Sequence, residues 1–310
     1  LLHALSEHQH EISTLDETRS LVFGTEDTGY LTLVRPVVAA EEMRAGDTEP
    51  PQEDGAVFGR DFAGPKSRLF EIGVLTDAPT GLDNGDPHRA NLDHLDQLEG
   101  WWRDERLRNH PQTLAMLRSC EAGRITRVYG RPRDYEEVAG PLTRVGYTPV
   151  VCVFVMLDDR FYADEESSET AGLAPPPDGG LVAPLVAPLT TTLESLGQGA
   201  VIIGGARSTW IVVEFHGPVL NPSAAIGDNM VVGLVGSVPD QEVVTVDPRP
   251  WSRGVTRGDG ANQAGLLAPS TPPLRDLRLP PGVHQVTYRG TDATATSTCV
   301  VRWRDARSRP

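Results

Sequence analysis

The densest group of side chains able to do chemistry is acidic: Asp158, Asp159, Asp164, Glu165 and Glu166 crowd one short stretch. Two carboxylates flanking a glycosidic bond can act as acid and base in sugar hydrolysis. These five fall at a strand end and in the loop after it, with no aromatic-lined cleft suggested nearby, and they read as a solvated turn. His3, His8 and His10 could hold a metal, but no cysteine or carboxylate completes a recognised ligand spacing. Residues 1–20 read instead as a mobile or partner-docked arm. The loop DAPTGLDNGDPH, from Asp77 to His88, has aspartates and glycines like a calcium loop. It lacks the distal Glu and the flanking helices, so it reads as a turn. Cys120, Cys152 and Cys299 form no CxxC pair. Cys152 and Cys299 sit in apolar strand patterns, as small buried hydrophobes do. No GxSxG, HExxH, P-loop or GxGxxG occurs, and no catalytic residue, metal or cofactor is expected.

The aromatic residues offer a different chemistry. Trp101-Trp102 could stack on a sugar or a base. On an amphipathic helix, however, Trp102 reads as core and Trp101 as a rim or subunit contact. Trp251, between prolines and arginines, has a loop-like setting and is the one candidate glycan contact; Trp210 lies in an alternating strand, where core packing is expected. Arg302, Arg304, Arg307 and Arg309 read as a solvated basic end.

A chain of 310 residues exceeds the common single-core size of about 100–200 residues, which predicts two domains. With 31 Gly and 26 Pro, many turns and few long helices are expected. The formal charge of −15 argues against a surface for nucleic-acid phosphates or anionic lipid. Lys66 is the only lysine, so arginine supplies the other positive charges, and arginine makes the better bidentate contacts at interfaces. No apolar run reaches the roughly 18–20 residues of a membrane span. No basic segment followed by a short apolar one opens the sequence, so a soluble, cytosolically made product is expected.

The elements that must position these groups are mostly strands. Leu31 to Val38 is a first strand candidate, followed by a polar loop ending at Asp54-Gly55. In SRLFEIGVL, Phe70, Ile72 and Val74 form the apolar side of a strand. Residues 90–119 are the one helical region: Leu92, Leu95, Leu98 and Trp102 share a face, and a second short helix after Pro111 would carry Leu114, Met116 and Leu117. Arg124 to Tyr129 reads as a strand and GRPRDYEEVAG as a polar turn. TPVVCVFVMLDD is the most apolar strand of the chain, with both faces apolar, so it is central or packs between a sheet and a neighbour. Residues 166–194, rich in Pro and Gly, read as an extended connection. Beyond it, five or more short strands at roughly ten-residue spacing predict a β-sandwich. Its last element is a hairpin of Val283–Arg289 with Thr294–Arg304, Trp303 closing the core. The fold class is therefore mainly β with one helical region, divided as 1–165, 166–194 and 195–310.

Several segments together resemble the distal tail protein family of long-tailed siphophages, also called phage tail or minor tail proteins. They are EDGAVFGRDFAGPKSRLFEIGV, the helix of the first domain, CVFVMLDDRFYADE, TWIVVEFHGPVLNPSA, VTVDPRPWSRGV and LPPGVHQVTYRG. Asp159 stands where the family commonly has a Pro, and the first 20 residues match none of its pattern. The resemblance implies an N-terminal belt domain (a β-sandwich or split barrel with one helix) in a homohexameric ring, and a C-terminal galectin-like β-sandwich outside it. It implies a virion protein at the tail tip, assembled in the host cytoplasm. The ring would join the tail tube protein to the tail hub protein of the baseplate, beside other tail-tip or receptor-binding proteins. DNA would pass through the lumen without specific binding. The subunit contacts expected are the belt-domain hairpins and the helix, with Trp101, Trp102, Tyr129, Tyr135, Phe161 and Tyr162 as candidates. The alternative reading is a carbohydrate-binding β-sandwich that attaches to a host cell surface through Trp210, Trp251 or Tyr288. A glycosidase built on the acidic cluster is the third.

Overall fold

The computed structural model describes residues 2–39, 43–49, 54–76, 85–110, 113–173 and 197–310. They divide into two compact units, Leu1–Asp164 with Ser308–Pro310, and Glu165–Arg307.

The first unit carries β1 (His10–Thr14), β2 (Ser20–Phe23), β3 (Tyr30–Thr32), β4 (Val37–Val38), β5 (Met43–Arg44), β6 (Phe62–Ala63) and β7 (Ser67–Leu75). Helices α1 (Pro87–Trp102) and α2 (Glu105–Asn109) follow, then β8 (Ala115–Glu121), β9 (Arg124–Glu137), β10 (Tyr147–Met156) and β11 (Phe161–Ala163). The main sheet runs β2-β1-β8-β9-β10-β7-β3, with β4 added to β7 and β11 to β9. It curls until its ends meet. The Gly24 N–H, just after β2, donates to the Tyr30 carbonyl at 2.7 Å, and the Thr32 N–H donates to the Gly24 carbonyl at 3.0 Å. The result is a nearly closed barrel, which leaves few unpaired strand edges.

Its interior holds Ile12, Phe23, Phe70, Ile72, Leu117, Val150, Cys152 and Phe154, closed by Leu95, Leu98, Trp101 and Trp102 of α1. Asp86 caps that helix, its carboxylate accepting from the His88 and Arg89 N–H groups, and Pro87 opens it. The helix is fixed by polar as well as apolar contacts. Asn91 Nδ2 donates to the Val74 carbonyl at 3.2 Å, and the Tyr30 hydroxyl donates to Gln97 Oε1 at 2.6 Å. Strand β9 carries a bulge against β10, with Pro132 opposite Phe154 and Tyr135 opposite Cys152. The Val153 carbonyl, beside that irregularity, accepts from the Trp102 indole N–H at 3.2 Å.

Four expectations fail here, each for a physical reason. The N-terminal arm is partly a strand: β1 lies between β2 and β8, and hydropathy hides it because His10, Glu11 and Ser13 are buried polar residues. The segment read as a second short helix is β8, paired with β9 along its whole length and with β1 from Ala115 to Ser119. Its Ala-Met-Leu-Arg composition favours a helix, and tertiary pairing overrides that. The polar turn after Tyr129 is the second half of β9, which continues to Glu137 with Pro132 beside the bulge. Leu92 is 44% exposed, while Asn91 and His94 take the buried positions on α1.

The second unit carries β12 (Ser167–Gly172), β13 (Gly197–Ile203), β14 (Thr209–His216), β15 (Val219–Ile226), β16 (Met230–Gly233) and β17 (Ser237–Val238). Then come β18 (Val243–Asp247), β19 (Gly254–Arg257), β20 (Arg278–Leu279), β21 (Gly282–Thr291), β22 (Thr298–Trp303) and β23 (Ala306–Arg307). One sheet runs β12-β22-β14-β18-β19 with β20 on β14; the other runs β13-β21-β15-β16 with β17 on β15. Ile211, Val213, Phe215, Cys299, Val301 and Trp303 of the first sheet share one core with Val201, Ala224, Ile226, Val286 and Tyr288 of the second. The Phe215 and Tyr288 rings, one from each sheet, lie 6.2 Å apart. That is sandwich packing.

The expected closing hairpin is not one. Strands β21 and β22 lie in different sheets, and the chain crosses between them over residues 292–297. Asp292 organises the crossing by accepting from the N–H groups of Thr294, Thr296 and Ser297, each at 2.8 Å. The alternation of Cys299, Val301 and Trp303 survives, because it needs only one buried face and not that partner. Residues 167–172, read as the start of the connection, form strand β12 on β22. The rest of the connection, residues 174–194, and most of the calcium-like loop, residues 77–84, lie outside the described residues.

Candidate assembly surfaces

Four of the five acids in the cluster are paired, and Glu165 is exposed as the solvated-turn reading expects. Asp164 accepts from Arg118 through Nε at 2.9 Å and a terminal nitrogen at 2.6 Å, and from Arg127 through Nε at 2.9 Å. Arg118 also pairs with Glu11, which is fully buried, and donates to the His3 carbonyl at 2.9 Å. A charged ladder thus crosses β1, β8 and β9 beneath the N-terminal residues. Burial raises the Asp164 pKa, but the two guanidiniums outweigh it and hold the carboxyl below its ordinary range. Asp158 accepts from the Tyr162 hydroxyl at 2.6 Å, and burial leaves its pKa raised. Glu166 stands 3.6 Å from Arg302 and 3.7 Å from Arg304, and Arg302 also pairs with Glu214. The expected solvated basic end is therefore tied into the second unit at these two residues.

The histidines separate. His10 is buried, its Nδ1 2.8 Å from Ser119 Oγ, which also accepts from Arg68 at 2.7 Å. His3 meets Glu11 at 2.7 Å, and His8 is exposed. Among the described residues no group of three His, Cys, Asp or Glu is arranged to hold a metal ion. All three thiols are buried and their pKa values are pushed up, for Cys299 to about 12, chiefly by burial. Such thiols are poor nucleophiles.

Of the candidate contact residues, Trp101, Trp102, Tyr129, Phe161 and Tyr162 are each less than 8% exposed, and Tyr135 is half-buried. Trp101 and Trp102 join the barrel core, and the Tyr129 and Tyr162 rings lie 5.8 Å apart. Most of their surface meets the unit itself. Trp251 is half-buried beside the Arg249 guanidinium, 5.9 Å from its ring centre, and Trp210, Tyr288 and Trp303 are buried. The second unit presents no aromatic platform among its described residues beyond that half-buried Trp251.

The first unit exposes two apolar surfaces. Residues 43–49 and 54–63, read in part as a polar loop, pair as a two-stranded ribbon, and every one of them is exposed. Met43 faces Ala63 and Arg44 faces Phe62, and further along Thr48 and Val57 exchange hydrogen bonds of 3.0 and 2.9 Å. A Cβ on Gly59 would come within 2.1 Å of the Gly46 carbonyl, so only glycine permits that approach. The ribbon leaves Phe58 84%, Val57 62%, Met43 55% and Phe62 50% exposed. The second surface is the outward side of β10, where Val151, Val153 and Val155 are partly exposed. A sheet face open to water normally alternates to polar residues. Near Val155 the surface sinks into a shallow hollow of about 250 Å³, lined by Leu114, Gly130, Arg131, Arg133, Met156 and Leu157 as well. The sequence signal for the ribbon was the pair Val57-Phe58 with Phe62, which a polar-loop reading passed over.

No protein-family model matches the sequence, and no curated protein does. Solved structures do match. The SPP1 Dit protein, described as a paradigm of the hub adsorption apparatus in phages infecting Gram-positive bacteria, aligns with a TM-score of 0.56 at 13% identity. That alignment covers 96% of this chain and 98% of the other. The phage P2 baseplate in its activated conformation matches in its calcium and strontium forms, with TM-scores of 0.52 and 0.51 at 9% identity. In both, 95% of this chain and 97% of the other are covered. The chain has the fold of the phage distal tail proteins.

Proposed function

We propose that the chain is a structural subunit of a phage tail tip and works by assembly, without catalysis. In this reading it is a distal tail protein of a siphophage. Its first unit forms a belt that closes into a homohexameric ring between the tail tube and the hub of the baseplate. Its second unit, a galectin-like sandwich, lies outside. The observation that carries this is the likeness to a phage hub protein and to a baseplate chain over nearly the whole length of both partners. The exposed apolar ribbon and the apolar outer side of β10 support it, since both are surfaces that water alone does not favour.

Charge supports the lumen. Residues 1–164 with 308–310 hold 29 acids against 18 basic residues, or −11, while 165–307 hold 14 against 10, or −4. The acidity therefore concentrates in the unit assigned to the ring. Six copies of −15 give −90, and a channel of the same sign as DNA lets the polyanion slide without sticking. Labelling the chain in assembled phage particles and imaging them tests the assignment. Label confined to the junction of tail tube and tip is expected; label on the capsid, or no label on the virion, would overturn it.

A further inference from the structure

The hollow beside Val155 is unusual in a chain this acidic. Its floor is apolar, from Leu114, Val155 and Leu157, and Arg131 and Arg133 line it too. The Arg131 side chain is anchored: Nε donates to the Thr113 carbonyl at 2.9 Å, and a terminal nitrogen donates to the His110 carbonyl. Arg133 is exposed and forms no ion pair among the described residues. The two guanidiniums are near enough that Arg133, after burial, lowers the Arg131 pKa. An apolar floor with two unopposed positive charges fits an occupant that is apolar at its centre and acidic around it.

The ribbon has that chemistry. Its described residues, 43–49 and 54–63, hold four acids (Asp47, Glu49, Asp54 and Asp61) against Arg44 and Arg60, on the same ribbon as the 84%-exposed Phe58. The limb of residues 54–63 reaches roughly 30 Å when extended. We infer that the hollow receives the ribbon of a second copy of this chain, with Phe58 seated over Leu114, Val155 and Leu157 and the ribbon carboxylates facing Arg131 and Arg133. Ribbon and hollow are different patches on the same unit, so the contact is head-to-tail. Such a contact repeats until rotation closes it into a ring. The proposal rests on the self-assembly reading above and names its contact.

Phe58→Glu and Leu157→Glu each place a charge at an exposed position, one on the ribbon and one at the hollow. By light scattering on the full chain, each variant alone is expected to stay monomeric with an unchanged melting temperature. A one-to-one mixture is expected to give dimers and nothing larger, because each variant retains the one surface the other lacks. Arg133→Glu is expected to weaken association about tenfold or more, and added salt to act in the same direction. A second readout does not depend on those variants. A chain with Phe58→Cys and another with Leu157→Cys should cross-link to each other on oxidation, since the native thiols are buried. If both glutamate variants assemble like the parent, or the cysteine pair never cross-links, the contact is wrong and the assembly reading stands. A parent chain that stays monomeric at every concentration contradicts both.

Discussion

The two units solve burial differently. The second buries Val, Ile, Phe, Tyr and Trp between two sheets, and Asp247, paired with Arg249, is the one buried charged side chain among its described residues. The first also buries Arg68, His10 and Ser119 inside the barrel, and Glu11 with Arg118 on its outer side. A buried ion pair contributes little net stability, because desolvation offsets the Coulomb attraction, but removing one partner is costly. The first unit therefore adds to its apolar core a set of polar partners that must all be present, while the second relies chiefly on apolar area, where loss is graded.

The largest effect should come from breaking the ladder. Arg118→Ala leaves the buried Glu11 without its guanidinium and should destabilise the first unit by about 3–5 kcal/mol. In urea its transition should shift alone, read by Trp101 and Trp102 fluorescence. In the second unit, Ile211→Ala removes fully buried apolar volume and should cost about 2–5 kcal/mol. Circular dichroism of its β signal should show the transition moving without a change at the helix.

Acid should separate the units next. His10 has its pKa lowered by burial and then by Arg68, and Asp164 has its own lowered by Arg118 and Arg127 against burial. Both folded values lie below the unfolded ones. Each contribution is thus present above the unfolded pKa and lost as pH falls toward the folded one. For His10 that loss begins near the ordinary histidine value of about 6.5, and for Asp164 near about 4. Melting of the first unit should fall from about pH 6.5 downward, and His10→Gln should flatten the upper part of that slope. The smallest effect is local to α1. Asp86→Ala removes the cap on the His88 and Arg89 N–H groups, costs about 0.5–2 kcal/mol, and should appear as faster amide exchange in the first helical turn.

The same contrast explains what the sequence could disclose. In the second unit, alternation placed Ile211, Val213 and Phe215 on one face and Cys299, Val301 and Trp303 on another, because burial there follows hydropathy. It could not show that β21 and β22 belong to different sheets, since the period of a strand says nothing about its partner. In the first unit, HEIST reads as polar although four of its five residues are buried. Its burial depends on Arg118 and Ser119, more than a hundred residues away. The helix around Leu95, Leu98 and Trp102 was legible, but β8 was not, because its residues favour a helix until β1 and β9 pair with them. The assembly surfaces were half legible. The double apolar character of TPVVCVFVMLDD pointed to a neighbour, while the ribbon looked like a loop for want of a long apolar run.

Native mass spectrometry of the purified full chain across a concentration series tests self-assembly through the first unit most directly. A single closed species at six times the chain mass, lost in the Phe58→Glu variant, is the expected result. A spectrum that holds only the monomer at every concentration would contradict it.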